Sequence, residues 1–477
     1  MRTIAIFSVL LSGCWYVDDL AALRGHPHSD AAEPPSEAMD LSMSPRDIAV
    51  APPDLARIPS DLMSLPDLLP PCNDKVKNGG ETDTDCGGPV CAARCEAGKA
   101  CVVNADCSNK LCINNHCSAI PNFSAGRPIT VNKMPRHLIA ANLNGDNFPD
   151  LAIANEGSNN VTVLASSGNR NFTPIGPFGS LSSPIALAAG DLNGDKDVDL
   201  AVVSQEKMSV GFYSNDGAGN FQSAGAVATN RAPWGVVLAD LNGDGKLDVA
   251  VTNRDDNSIY VRLGKGNGDF ANVSSIPGIS SPRQIVVADM DMDMKLDLIV
   301  STIAAPPYAN MGQIAVLKGQ GNGTFMAPTL WGASVLPGGP AYFAVADVDI
   351  DKKQDLVLAS RDSAIGNVRA FTGDGKGTLM PEKLAYNSEG IGARPPILAD
   401  FTFDGVPDLV VANRDTNSIR FFTGMGDGTL QPGFLINNVA TPSAIASADF
   451  DGDGKLDFAV ASCVENGLVT VYFNISQ

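Results

Sequence analysis

The sequence predicts an all-β protein: a closed seven-bladed β-propeller of four-stranded blades, preceded by a disordered linker and a small disulfide-rich module. Three observations predict it. An acidic nine-residue loop recurs seven times, beginning at Asn142, Asp191, Asp240, Asp289, Asp347, Asp400 and Asp449, with starts 49, 49, 49, 58, 53 and 49 residues apart. Such a period marks propellers, solenoids or arrays. Short strand-like runs at even spacing, separated by Gly-rich turns and aromatics, fill each interval, as in a propeller. The last repeat stops after its third strand, at residues 468–473, and residues 122–131 resemble the missing fourth. Pairing the two would lock the ring and protect its edges.

Taken in order, residues 1–13 read as an export signal, with Arg2 followed by an apolar run over residues 4–11 that is too short to span a bilayer. Leu11-Ser12-Gly13-Cys14 resembles the lipobox of bacterial lipoproteins, which implies lipidation at Cys14 and a membrane-anchored chain in the periplasm or at the cell surface, with the outer membrane favoured. Residues 14–71 form a tether rich in Pro, Asp, Ser and Ala. Residues 72–118 carry Cys72, Cys86, Cys91, Cys95, Cys101, Cys107, Cys112 and Cys117. Eight cysteines in an exported segment imply about four disulfides stapling a core-poor module. Irregular spacing argues against zinc. The run at residues 78–88 resembles Cys-rich spacer modules of bacterial extracellular proteins. Cys463, in the strand after the last loop, is expected to be a buried free thiol.

Residues 119–477 hold the repeats. In Asp240-Leu241-Asn242-Gly243-Asp244-Gly245-Lys246-Leu247-Asp248, oxygen side chains stand at positions 1, 3, 5 and 9. A hard cation such as Ca²⁺ takes six to eight oxygens, and the carbonyl at position 7 can join them. An EF-hand is excluded: it needs Glu at position 12 and flanking helices, whereas Val251 lies in a strand-like run. The formal net charge of −20 disfavours nucleic acid, whose phosphates need Lys and Arg. Much of that charge sits in the loops, as expected of metal sites.

Six loops have Pro seven residues upstream: Pro135, Pro184, Pro233, Pro282, Pro340 and Pro442. An inner strand follows, then the loop, a second and third strand, a Gly-rich hairpin and a fourth strand. The repeats resemble the FG-GAP (VCBS-type) repeats of the integrin α N-terminal propeller and of many bacterial surface proteins. The resemblance implies Ca²⁺ in the loops between the first two strands of each blade, up to seven ions in all. Carried over residue by residue, the implied ligands in the first blade are Asn142, Asn144, Asp146 and Asp150. Asp191, Asn193, Asp195 and Asp199 follow, then Asp240, Asn242, Asp244 and Asp248. The fourth and fifth sets are Asp289, Asp291, Asp293 and Asp297, and Asp347, Asp349, Asp351 and Asp355. The last are Asp400, Thr402, Asp404 and Asp408, and Asp449, Asp451, Asp453 and Asp457.

Asn142 and Thr402 replace carboxylates, so the first and sixth loops are expected to bind weakest. Lys196, Met294 and Lys352 stand at position 6, where positive φ suits Gly; the loops at Asp240 and Asp449 keep Gly and are expected to bind best. Ca²⁺ is expected over Mg²⁺, which prefers a hydrated octahedron.

Strand alternation puts the acidic loops and Gly-rich hairpins on one rim. The longest departures from the period, at residues 304–312 and 332–340, belong to the other, where Tyr308, Trp331 and Tyr342 are candidates for a ligand patch. The expected function is a non-enzymatic binding or adhesion module with a protein or glycan ligand, monomeric and lipid-tethered. A polysaccharide lyase or quinone-dependent dehydrogenase is the enzymatic alternative, but only His26, His28, His116 and His137 are present and no nucleophile–base pair stands out. A carbohydrate-binding propeller is the third reading; Trp234 and Trp331 lack the counterparts in other blades that it would need.

Overall fold

A computed structural model describes residue 86, residues 94–119 apart from 103–105, 108–111 and 114, and residues 121–476 apart from 180, 304–311, 332–341, 362–366 and 382–384. The expected signal, Cys14, the tether, Cys72, Cys91 and Tyr308 lie outside these residues. No helix among them is long and apolar enough to cross a membrane.

The chain forms seven antiparallel four-stranded blades, one of them completed by the N-terminal strands. The inner strands are Pro135–Ala141, Pro184–Gly190, Pro233–Ala239, Ile285–Ala288, Tyr342–Ala346, Ile397–Ala399 and Pro442–Ala448. The second strands, Asp150–Asn155, Asp199–Ser204, Asp248–Asn253, Asp297–Ile303, Asp355–Ala359, Asp408–Asn413 and Asp457–Ser462, all begin on the ninth residue of an acidic loop. They bury both faces, which explains their continuous apolar runs.

Each inner strand opens at an edge position that needs no N–H from its first residue, which suits Pro. In the sixth blade Ala393 takes that place and bridges Asn413, as Pro233 pairs with Asn253. A bulge follows: Arg136, Ile185 and Ser443 are skipped in the pairing with the second strand. Bulges re-aim the residue they contain.

The ring closes as expected. Phe123–Ala125 and Ile129–Thr130 both pair antiparallel with Leu468–Asn474. Phe123 then packs among Phe401, Phe421, Phe434 and Phe458, with ring centroids 4.8–6.0 Å away. Seven apolar clusters result, one between each pair of neighbouring blades, including the pair that joins the chain ends.

Among the described residues, the N-terminal module has three cysteine pairs at disulfide distance: Cys86–Cys95, Cys101–Cys112 and Cys107–Cys117. Its buried side chains are mostly these cysteines, as befits a module too small for an apolar core. It sits on the acidic-loop rim, where the Ala119 N–H donates to the Thr402 carbonyl at 2.7 Å. One expectation is corrected. Cys463 is buried but disulfide-bonded rather than a free thiol. Its partner lies outside the described residues, and the expectation failed because it counted the cysteines by cluster and left this one over.

Candidate metal loops and central cavity

The acidic loops share one internal scheme. The carboxylate at position 9 is at most 1 % exposed in all seven. One of its oxygens accepts the N–H of position 2, namely Leu143, Leu192, Leu241, Met290, Val348, Phe401 and Phe450, at 2.8–3.0 Å. The other accepts the N–H at the end of the third strand, from Ser166, Asn215, Gly264, Gly319, Gly373, Gly424 and Asn474, at 2.7–3.0 Å. The position-2 carbonyl then accepts a hydrogen bond from the next blade. Its donor is a hairpin Gly N–H at Leu192, Leu241, Met290 and Val348, and the side chain of Asn215, Asn474 or Ser166 at Leu143, Phe401 and Phe450. Each loop therefore joins three strands of its own blade and the neighbouring blade.

Six of the loops have positive φ at position 6, where Lys196, Met294 and Lys352 stand at 77°, 63° and 69°. Position 4 is also left-handed throughout, a requirement that the spacing argument missed. Met292, Ile350 and Phe403 occupy it at 60°, 56° and 62°, each costing about 1 kcal/mol relative to Gly.

Three loops bring carboxylate oxygens within 4.8 Å of one another: Asp289, Asp291 and Asp297; Asp347, Asp349 and Asp351; and Asp449, Asp451 and Asp453. Asp291 Oδ1 is buried without a hydrogen-bond partner, an orphan acceptor that a cation would satisfy. These triads fit an oxygen-liganded divalent ion. The loop at Asp449 is among them; in the loop at Asp240 the position-3 oxygen comes from the amide of Asn242 instead of a carboxylate. In the first loop, the Asn142 side-chain N–H donates to the Asp146 carbonyl, so its amide is engaged within the loop. In the sixth, the Thr402 hydroxyl and Asp404 are fully buried beneath Ser118 and Ala119. Lysines at position 7 pair with position 5, as Lys295 does with Asp293 at 2.7 Å; such exposed pairs contribute little.

Burial raises the position-9 carboxylates, against the pull of their amide partners: Asp150 and Asp355 to about 6, Asp457 to about 7, Asp408 well above its ordinary range.

The opposite end of the ring holds a cavity of about 230 Å³ among the starts of the inner strands. Arg136, His137, Trp234, Gln284, Tyr342 and Arg394 supply its chemistry, and among the described residues none that lines it is acidic. Arg136, Arg254 and Arg283 surround the Trp234 ring at 5.6, 5.3 and 4.9 Å. Arg394, 3 % exposed, points an N–H at the Tyr342 hydroxyl at 3.5 Å, and its Nε has no hydrogen-bond partner. Burial alone would raise the Tyr342 phenol, but Arg394, Arg136, Arg283 and Arg361 hold it down at about 8. Burial and Arg136 lower His137 to about 4, so it is neutral at pH 7.

Of the three aromatics expected on this face, Tyr342 lines the cavity, whereas Trp331 sits on the outer strand Thr329–Trp331, packed against the cluster between the fourth and fifth blades. The cationic lining was missed by sequence reasoning. The residue after the strand-opening position reads Arg136, Ile185, Trp234, Arg283, Ala341, Arg394 and Ser443. Aligning the repeats on that position would have exposed it.

The FG-GAP-like repeat family matches at residues 142–202, 191–251, 240–300, 347–411 and 400–460, more than half of the chain. The chain belongs to the FG-GAP-like repeat family. Among solved structures, a BBS1N–ARL6DN complex soaked with lead is similar with a TM-score of 0.53 and 12% identity, over 74% of this chain and 97% of that one. A lectin of Agrocybe aegerita, described as recognising non-reducing terminal N-acetylglucosamine, gives a TM-score of 0.48 and 19% identity, over 72% and 86%. At these identities the likeness concerns the fold alone. No curated protein matches the chain.

The loops yield three predictions. Asp248→Ala should lower stability by about 3 kcal/mol with or without calcium, because it strands two buried amides. Asp291→Asn should lower the melting temperature in calcium but not in EDTA; equal losses for both variants in EDTA would contradict the division between staple and ligand. The raised position-9 groups stabilise the metal-free fold below the ordinary carboxylate range, and that contribution is lost as pH rises through about 6 to 7. The EDTA-treated protein should therefore melt higher at about pH 5 than at about pH 8, and a scan rising with pH would contradict this.

Proposed function

We propose that this protein is a calcium-stabilised binding or adhesion propeller, displayed outside the cytoplasm on a lipid anchor at Cys14. The observation that carries the reading is a division of labour between the rims. The acidic loops repeat around one rim and bond to their own backbone, so an ion bound there stabilises the ring by mass action. Loops four, five and seven would hold ions through their triads, and Ca²⁺ would cross-link side chains that otherwise repel. The other rim holds the feature that does not repeat, a small polar cavity with convergent side chains, the usual character of a ligand site.

A second reading is lyase-like chemistry on an acidic polysaccharide. Tyr342 favours it: a phenol held at about 8 beside Arg394 is a reasonable proton acceptor.

A glycan and protein array probed with the calcium-loaded chain tests the main reading, which expects a retained ligand released unchanged. A new unsaturated product from acidic polysaccharide would replace it with the lyase. Cys14→Ser should move the protein from the membrane fraction to the soluble one; if it stays with the membrane, the anchor assignment fails.

A further inference from the structure

Six arginines gather around one end of the ring axis in a chain whose formal net charge is −20. Arg136, Arg254 and Arg283 meet at Trp234. Arg394 stands beside Tyr342, within the electrostatic reach of Arg136, Arg361 and Arg414. Like charges repel at this range, and folding would not gather them without something to stabilise the arrangement. Much of the compensation is internal: Arg254, Arg283, Arg361 and Arg414 all have interactions within the protein. Asp255 takes Arg254 at 2.7 Å, and the Trp234 face attracts the three guanidinium groups around it. Glu156, on the same rim, is engaged by the Ser183 hydroxyl. Among the described residues the cavity lining contributes no carboxylate, and Arg394 keeps a buried Nε without an acceptor.

The walls are held in place. Gln284 bonds the Phe343 backbone through both ends of its amide, at 2.8 and 3.0 Å, tying the fourth blade to the fifth. Thr252 bonds the Arg283 carbonyl at 2.6 Å, and Ser443 bonds that of Pro135 at 2.7 Å, tying the seventh blade to the first. Guanidinium groups on so fixed a frame are pre-organised to receive a planar or tetrahedral oxyanion. At about 230 Å³ the cavity is smaller than most sites for drug-sized ligands; it suits a carboxylate on a body the size of one sugar unit, or a free inorganic anion.

We propose that the cavity is a specific oxyanion-binding site, in which Arg136 and Arg394 hold the charged group, the Tyr342 hydroxyl supplies a further contact and Arg283, at the Trp234 ring, adds positive potential. This deepens the binding reading above and rests on it: the charge of the ligand, not an aromatic platform, selects what the propeller holds. The Trp234 face is occupied by cations, so it serves to position them rather than to stack on a sugar.

Isothermal titration of the calcium-loaded full chain tests it, with galacturonate, inorganic phosphate and neutral galactose as probes. Galacturonate or phosphate should bind with one site per chain, and galactose should not. Affinity should fall at least tenfold in Arg136→Gln, Arg283→Gln and Arg394→Gln, with the calcium-dependent melting temperature unchanged in the first two. The first two carry the test even if the buried Arg394 variant fails to fold. Tighter binding of galacturonate than of phosphate assigns the anion to a sugar; the reverse assigns it to a free inorganic ion. Binding of neither, or binding that survives Arg136→Gln and Arg283→Gln, overturns the proposal. Array ligands retained without oxyanion affinity would sink this inference while leaving the binding reading in place.

Discussion

The architecture depends on a buried carboxylate that accepts two backbone amides. In every blade, the Asp at position 9 takes one N–H from the start of its loop and one from the end of the third strand. The first bond fixes position 2, whose side chain fills the gap between blades and whose carbonyl is bound by the next blade. Local loop geometry and the packing of neighbouring blades are thus set by the same group. A carboxylate is suited to this because its two oxygens can serve two donors at once, and charge-assisted hydrogen bonds are the stronger kind. The cost is desolvation, visible in the raised pKa of Asp150, Asp355 and Asp457.

This arrangement separates two roles that the repeated motif combines. Position 9 holds the blades together. Positions 1, 3 and 5 offer oxygens to a cation, most fully where all three are Asp, as in the loop at Asp449; in the sixth loop Thr402 and Asp404 are buried instead. The loops at Asp289 and Asp347 gather carboxylates although Met294 and Lys352 stand where Gly is easier. Glycine at position 6 is thus not required for the carboxylates to gather.

Much of the fold was legible because a propeller is written in local repeats. Loop spacing gave the blade count, and the missing last strand gave the closure through Phe123–Ala125 and Ile129–Thr130. The central cavity was not legible for a physical reason. Its residues occupy one position per blade, and that position varies from Arg136 through Ile185 and Trp234 to Ser443. Only a bulge and ring closure bring side chains some fifty residues apart in sequence to one point. Tyr342 was singled out for its neighbours in sequence, yet its partners are Arg394 from the adjoining sixth blade and Arg136 from the first. The state of Cys463 escaped the same way, since counting cysteines by cluster ignores what the fold brings near.

Hydrogen exchange of the chelated protein addresses the buried staples most directly. The amides of Leu241 and Gly264, with their counterparts in the other blades, should exchange only through global unfolding, as slowly as the second strands. If those amides exchange at the rate of an exposed turn while the second strands stay protected, the carboxylates do not hold the ring together and the account fails.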